Sequence, residues 1–271
     1  MDTSAQLCIW DFDGVLSDSL TECLSVVVLA AFRHANPDIS IDSRALVEIY
    51  NPEKVHELDR WMRPLRPFVA TGQDYLWQYF HKDKFDRRFT SMIEYQECYR
   101  SIYNQSLDQT YKRLFYDSRK MLIKLMGKKY MSLFTTYQGA VHALRMSMGR
   151  HRSFVCTARD RQALEMILAR HRIEIPRDRI YSQDFCADEE NRGRSKAEQI
   201  LEILDYHGGR QQPFVIVEDQ VKAPAQVAAD CPNMKVVFAA YGYGLASDWE
   251  DAGLKGMVQV NSPADLIFEI F

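Results

Sequence analysis

Two hydrophobic rhythms divide this chain. From residue 154 onward, short runs of β-branched or aromatic residues alternate with segments that repeat apolar positions every three or four residues. The short runs cover 154–157, 179–182, 214–217 and 235–239, and helical spacing covers 161–172, 196–206 and 224–229. Alternation of this kind predicts a parallel sheet with helices on both faces. One further apolar run, 6–10, has the same continuous character and must join that sheet from far away in sequence. Between these regions no strand pattern survives over 20–135, and stretches such as 92–103 and 108–130 carry helical spacing. The expected organisation is an α/β core made of 1–19 and 136–271, interrupted by an inserted α-helical domain over 20–135. The most apolar stretch of the insertion, 24–32, is far shorter than the ~20 residues a membrane crossing needs and reads as a helix packed against protein.

Several of these elements carry residues with chemical potential at their ends. The first run closes in Asp11-Phe12-Asp13-Gly14. Side chains at i and i+2 of a strand share a face, and the glycine lets the chain break away after them. Two carboxylates so placed suit a nucleophile and a proton donor, with a divalent cation to hold the charges together. A solvated acidic turn is the plain alternative. The run 154–157 ends in the hydroxyl of Thr157, and the run 214–217 leads into Glu218-Asp219. Lys196 opens the helical stretch that follows Ser195. Taken singly, Thr157 is an ordinary strand residue and Lys196 an ordinary solvated lysine. Together they are a hydroxyl and a cation able to hold the oxygens of a transferring phosphoryl group.

The segment Asp11-Phe12-Asp13-Gly14-Val15-Leu16-Ser17-Asp18-Ser19 resembles the first motif of the haloacid dehalogenase (HAD) superfamily, and Thr157, Lys196 and Glu218-Asp219 follow in that superfamily's order. The resemblance implies a Rossmann-like core with a C1-type helical cap over 20–135, and a phosphomonoester hydrolase using Mg²⁺. In that scheme Asp11 is the nucleophile, forming an aspartyl-phosphate, and Asp13 the general acid and base. Thr157 and Lys196 bind the substrate phosphate. Asp11, the Asp13 backbone carbonyl and Asp219 are the metal ligands, with Glu218 behind them or reaching the metal through water. The family often places another acid or a glycine a few residues on, whereas Asp219 is followed by Gln220-Val221-Lys222-Ala223-Pro224; this leaves Glu218 with more of the orienting work. Tyr241-Gly242-Tyr243-Gly244 and the tail 260–266 are similar to phosphoglycolate-phosphatase-like members. A phosphomutase of the same superfamily is the first alternative, and a non-catalytic regulator binding phosphate or nucleic acid the second. Asp13 argues against dehalogenation, which needs neither that acid nor a metal.

Composition narrows the setting. A net charge of −3 with 26% charged residues gives no basic excess that would call for a nucleic-acid partner. The six cysteines, at 8, 23, 98, 156, 186 and 231, form no C-x-x-C pair or metal-ligand spacing. With no signal-peptide pattern at the N-terminus, the expectation is a cytoplasmic enzyme with no membrane partner. Its substrate is expected to be a small phosphorylated metabolite, with a nucleotide among the candidates; oligomeric state is not readable. Aromatic and basic residues of the insertion, among them Arg60, Arg66, Tyr75, Trp77, Tyr79 and Tyr111, suit a ligand with a flat ring, although helical bundles bury many aromatics in their own cores. Arg159 reads either as a further phosphate contact or as a solvated turn residue.

Overall fold

The computed structural model describes residues 6–49, 51–182 and 195–271. Eight strands are present among them: β1 (Leu7–Trp10), β2 (Ser17–Asp18), β3 (Thr135–Thr136), β4 (Arg152–Cys156), β5 (Ile180–Tyr181), β6 (Phe214–Glu218), β7 (Met234–Ala239) and β8 (Met257–Val260). Six of them form one sheet in the order β5-β4-β1-β6-β7-β8, and every pairing in it is parallel. β1 and β6 are buried at every position, as expected of strands covered by helices on both faces. The described chain divides into two compact units, 1–18 with 135–271, and 19–134.

In the first unit, β1 lies between β4 and β6. The chain goes from β1 to β4 and outward to β5, then returns to the other side of β1 for β6, β7 and β8. The order therefore reverses at β1 and β6, the place where open parallel sheets bind ligands beyond their C-terminal ends. The helices of this unit are those at Gln138–Arg150, Arg161–Arg170, Lys196–His207, Lys222–Ala228, Ala246–Ala252 and Leu266–Ile270. Two of their starts are fixed by side chains that matter later. Asp160 caps the Arg161 helix by accepting from the Ala163 N–H at 2.9 Å. Ser195 and Glu198 form a reciprocal capping box that starts the next helix at Lys196. Leu7, Ile9, Phe154, Phe214, Ile216, Val236 and Phe238 pack with Ile200, Ile203 and Leu204 into one core.

The second unit is helical, as its periodicity predicts. Its elements are α1 (Leu20–Ala35), α2 (Ser43–Ile49), α3 (Pro52–Met62), α4 (Gly72–Phe80), α5 (Lys82–Phe85), α6 (Met92–Ile102) and α7 (Gln105–Met126), with short 3₁₀ turns at Arg63–Phe68 and Gly127–Leu133. Asn51 with Pro52, Ser91 and Asn104 start α3, α6 and α7 by accepting amide hydrogens of the first turn. Trp77, Tyr75, Phe115 and Tyr111 are buried in its interior, so these rings are spent on packing. One polar cluster lies among them. Arg119 Nε donates to Glu22 Oε1 at 2.8 Å, and the Tyr130 hydroxyl donates to the same oxygen at 2.7 Å. α1, α7 and the turn after α7 are thus joined at a buried point.

Several element bounds differ from the sequence reading for local reasons. The helix expected to start at Pro224 starts two residues earlier, at Lys222, because proline is tolerated in the first turn. β8 and the helix Gln138–Arg150 had no clear signal, and the β2–β3 ribbon, with Ser17 opposite Thr136, is too short for one. Five cysteines are buried thiols; Cys186 lies outside the described residues. Among the described residues no helix is long and apolar enough to cross a membrane.

The buried pair predicts a specific weakness. Arg119→Met should destabilise the helical unit by about 3–5 kcal/mol, since it leaves the buried Glu22 carboxylate without its paired cation. Calorimetry should show a lowered unfolding transition, whereas an unchanged transition would mean that Glu22 finds another partner.

Candidate active site

Parallel register brings the sequence-predicted residues of the core together. Trp10 is level with Val155 of β4 and Val217 of β6, so Asp11 falls level with Glu218, one position beyond the end of β1. The Asp11 N–H donates to the Val217 carbonyl at 2.9 Å, and the Thr157 N–H to the Tyr181 carbonyl at 2.9 Å. Both residues are therefore fixed to the sheet by the last rungs of its ladder. Asp11, Thr157, Glu218 and Asp219 are all buried.

Lys196, at the first position of its helix, reaches back to these strand ends. Its Nζ lies 2.7 Å from Asp11 Oδ1 and forms a second, closer ion pair with Glu218 Oε2. Glu218 Oε1 accepts the N–H groups of Asp219, at 3.2 Å, and Gln220, at 3.3 Å. Glu218 is thus held from both ends, by a cation and by the backbone of its own turn. Burial raises the Asp11 carboxyl well above the usual carboxylate range, the Glu218 charge adds to this, and Lys196 opposes it. Burial likewise raises Glu218, against the pull of Lys196. Burial alone would lower Lys196, but the two carboxylates outweigh it and the ammonium is held above its ordinary value.

Asp219 is held by the loop after β7. Its Oδ2 accepts the Tyr243 N–H at 2.8 Å and its backbone carbonyl accepts Trp249 Nε1–H at 3.2 Å. The Tyr243 hydroxyl donates to Asp18 Oδ1 at 2.6 Å. Close approach here requires glycine. Gly14, at φ +87°, lies so near that a Cβ would overlap the Asp219 carboxylate, and a Cβ on Gly244 would overlap its carbonyl. Asp11, Glu218 and Asp219 offer carboxylate oxygens within 4.8 Å of one another. An all-oxygen set of this charge fits a hard divalent cation such as Mg²⁺.

Arg159 departs from the reading of a solvated turn residue. Arg159 is not solvated; it is 2% exposed. Its Nη2 donates to Asp13 Oδ1 at 2.8 Å, and its Nε lies 3.1 and 3.2 Å from the two carboxylate oxygens. The reason is local: Asp160 starts a helix immediately afterwards, so the short turn after Thr157 directs Arg159 back to the sheet edge, where Asp13 is the available carboxylate.

Comparison with known proteins follows this geometry. No family model matches the chain, and no curated protein matches it in sequence. Solved structures do match over the whole chain. A haloacid dehalogenase-like hydrolase from Streptococcus pneumoniae superposes with a TM-score of 0.62 at 13% identity, covering 99% of this chain and 100% of its own. The chain has the haloacid dehalogenase-like fold. A predicted phosphatase from Clostridium acetobutylicum, with TM-score 0.60 and 15% identity over 99% of both chains, shares this HAD-like fold. So does a predicted phosphoglycolate phosphatase from Haemophilus somnus, with TM-score 0.59 and 14% identity over 100% of both. The helical unit also holds an open cleft of about 960 Å³ lined by residues such as Phe32, Trp61, Phe80 and Lys82, but none of the acids described above lines it.

The electrostatics give a signed expectation for the metal-free protein. A carboxyl whose folded pKa is raised contributes stability at low pH that is lost as pH rises through the folded value. Asp11→Asn removes that penalty, so in EDTA at neutral pH it should melt above the wild type. The gap should close as pH falls toward the ordinary carboxylate range, where both carry a neutral group. A variant that melts lower at neutral pH would show that Lys196 more than offsets the burial of Asp11.

Proposed function

We propose that the protein is a Mg²⁺-dependent phosphatase that hydrolyses a small phosphomonoester through an aspartyl-phosphate on Asp11. The observation that carries this reading is Asp11 fixed at the end of β1, ion-paired to Lys196 at 2.7 Å and clustered with Glu218 and Asp219. Burying a carboxylate beside two others is costly and adds nothing to a core, whereas it suits a nucleophile that receives a dianionic group. The hydrolase and phosphatase names of its structural neighbours agree with it.

The residues take the following roles. An Asp11 oxygen attacks phosphorus, and the bond to the leaving oxygen breaks as the Asp13 carboxyl gives that oxygen a proton. Water then attacks the aspartyl-phosphate, Asp13 takes the proton from it, and the Asp11–phosphorus bond breaks to release phosphate. Splitting the hydrolysis in this way replaces one difficult displacement by two easier ones, and the proton transfers are worth roughly 10²–10⁴-fold. Thr157 and Lys196 hold the phosphoryl oxygens. Lys196 also offsets the Asp11 charge, so that the nucleophile and an anionic substrate can approach each other. Asp11, Asp219 and the Asp13 carbonyl would hold the cation, with Glu218, tied to Lys196, beside them in the same carboxylate cluster. When bound, Mg²⁺ supplies positive charge that offsets the acids and polarises the phosphoryl oxygens.

The helical segment 20–135 serves in this reading as the cap that selects substrate, entered and left through the β2–β3 ribbon. Its buried rings support packing more than ring recognition, so a small phosphorylated acid, such as the neighbours' names suggest, is favoured over a nucleotide. Buried thiols agree with a reducing, cytoplasmic setting.

The test is phosphate release from a panel of phosphorylated acids, sugars and nucleotides. Mg²⁺ should support turnover and EDTA abolish it. Asp11→Asn should lose activity by at least about 10³-fold while remaining folded, given how completely a missing nucleophile removes the covalent route. Asp219→Ala should instead raise the Mg²⁺ concentration required. Turnover retained in Asp11→Asn, or undiminished by chelation, would contradict the assignment.

A further inference from the structure

Arg159 is absent from the roles above, yet it is a buried charged side chain held beside them. Its guanidinium meets Asp13 side-on, with Nη2 2.8 Å from Oδ1 and Nε 3.1 and 3.2 Å from the two oxygens. The side chain of Arg159 is 1% exposed and that of Asp13 20%, so the pair lies at the boundary between interior and site, with the arginine on the inner side. The guanidinium carbon lies 5.7 Å from the centre of the Phe12 ring. The Arg159 backbone is also anchored, because its N–H donates to Thr157 Oγ1 at 3.2 Å and the next residue caps a helix.

We infer that Arg159 is a positioning residue for Asp13: a buried, ring-backed clamp that sets the direction in which the Asp13 carboxyl delivers and collects its proton. The inference rests on the phosphatase reading and adds a residue to it. Three physical points support it. A carboxyl group rotates easily about its last torsion, and Gly14 directly after Asp13, at φ +87°, turns the backbone away, so the ladder of the main sheet does not set the plane of that oxygen pair. A planar fork can fix it, since two donors at set spacing define the plane of a carboxylate, which a lysine ammonium cannot do. Finally, a desolvated guanidinium is costly unless tied, and the side-on contact with Asp13 is a tie that an ordinary surface pair would not need. Thr157 and Arg159 then belong to one short turn, whose first residue addresses the phosphoryl group and whose third aims the acid.

The prediction concerns leaving groups. A phosphomonoester with a poor, alkyl leaving group needs its oxygen protonated as the bond breaks; one with a good, nitrophenyl leaving group does not. The formation of aspartyl-phosphate should be followed in single turnovers with a series of alkyl and aryl phosphates, using the full chain with saturating Mg²⁺. For Arg159→Met, the alkyl substrates should slow by about 10²-fold, within the range for a misdirected general acid, and the nitrophenyl substrate by far less, with KM little changed. Arg159→Lys should keep the charge but lose the plane, and fall between. If Arg159→Met does not fold, Arg159→Lys carries the same comparison. An equal slowing across the series, or an effect confined to KM, would overturn the inference in favour of a structural or phosphate-binding role. Loss of the proposal for the whole site would look different: the wild type itself would show no Asp11-dependent turnover on any substrate.

Discussion

One lysine holds the candidate site in its present form. Asp11 and Glu218 stand level on adjacent parallel strands, in an interior where two carboxylate charges repel strongly, and Lys196 is the cation paired with both. Its position follows from a helix start. Ser195 and Glu198 fix the first turn, and the first residue of that turn reaches back to the strand ends. The strands supply the position of Asp11, and the capping box places the counter-charge beside it.

Around this pair the backbone is drawn unusually close. Gly14 and Gly244 allow the Asp13 turn and the loop after β7 to close on Asp219, which is then held by Tyr243 and Trp249. The same loop returns to Asp18 through the Tyr243 hydroxyl. The acid at the end of β6 and the turn after β1 are therefore parts of one hydrogen-bonded frame, so a cation that gathers Asp11 and Asp219 would meet ligands already in place. Such preorganisation costs folding stability, as buried like charges must, and the raised carboxyls of Asp11 and Glu218 are its direct expression.

Much of this arrangement was legible before the structure. Continuous apolar runs ending in Asp11, Thr157 and Glu218-Asp219 read as buried strands because a parallel sheet covers both faces, and a sheet of this kind places strand-end residues side by side. Lys196 was legible as the first residue of a helical stretch that stands in order with the other motifs, not from its own surroundings. Arg159 was not, because its partner Asp13 is 146 residues away and ion pairs leave no periodic trace. The one available signal was its place in a short turn between Thr157 and the helix cap Asp160, where a side chain has few directions other than back to the sheet edge. β8 was missed because an edge strand keeps one side toward solvent, and the helix at Gln138–Arg150 because much of its buried face consists of small residues, Ala140, Ala143 and Ser147. The aromatic residues of the helical unit read ambiguously, since the same rings can stack on a ligand or fill a core; Trp77 and Tyr111 fill a core.

The central claim is that phosphorus passes through Asp11, and the stereochemistry at phosphorus tests it most directly. A phosphomonoester made chiral at phosphorus with oxygen isotopes can be transferred to an acceptor alcohol in place of water, and the product's configuration read by nuclear magnetic resonance. Two successive in-line displacements, one by Asp11 and one by the acceptor, predict overall retention. Overall inversion would mean a single direct displacement and would contradict the aspartyl-phosphate.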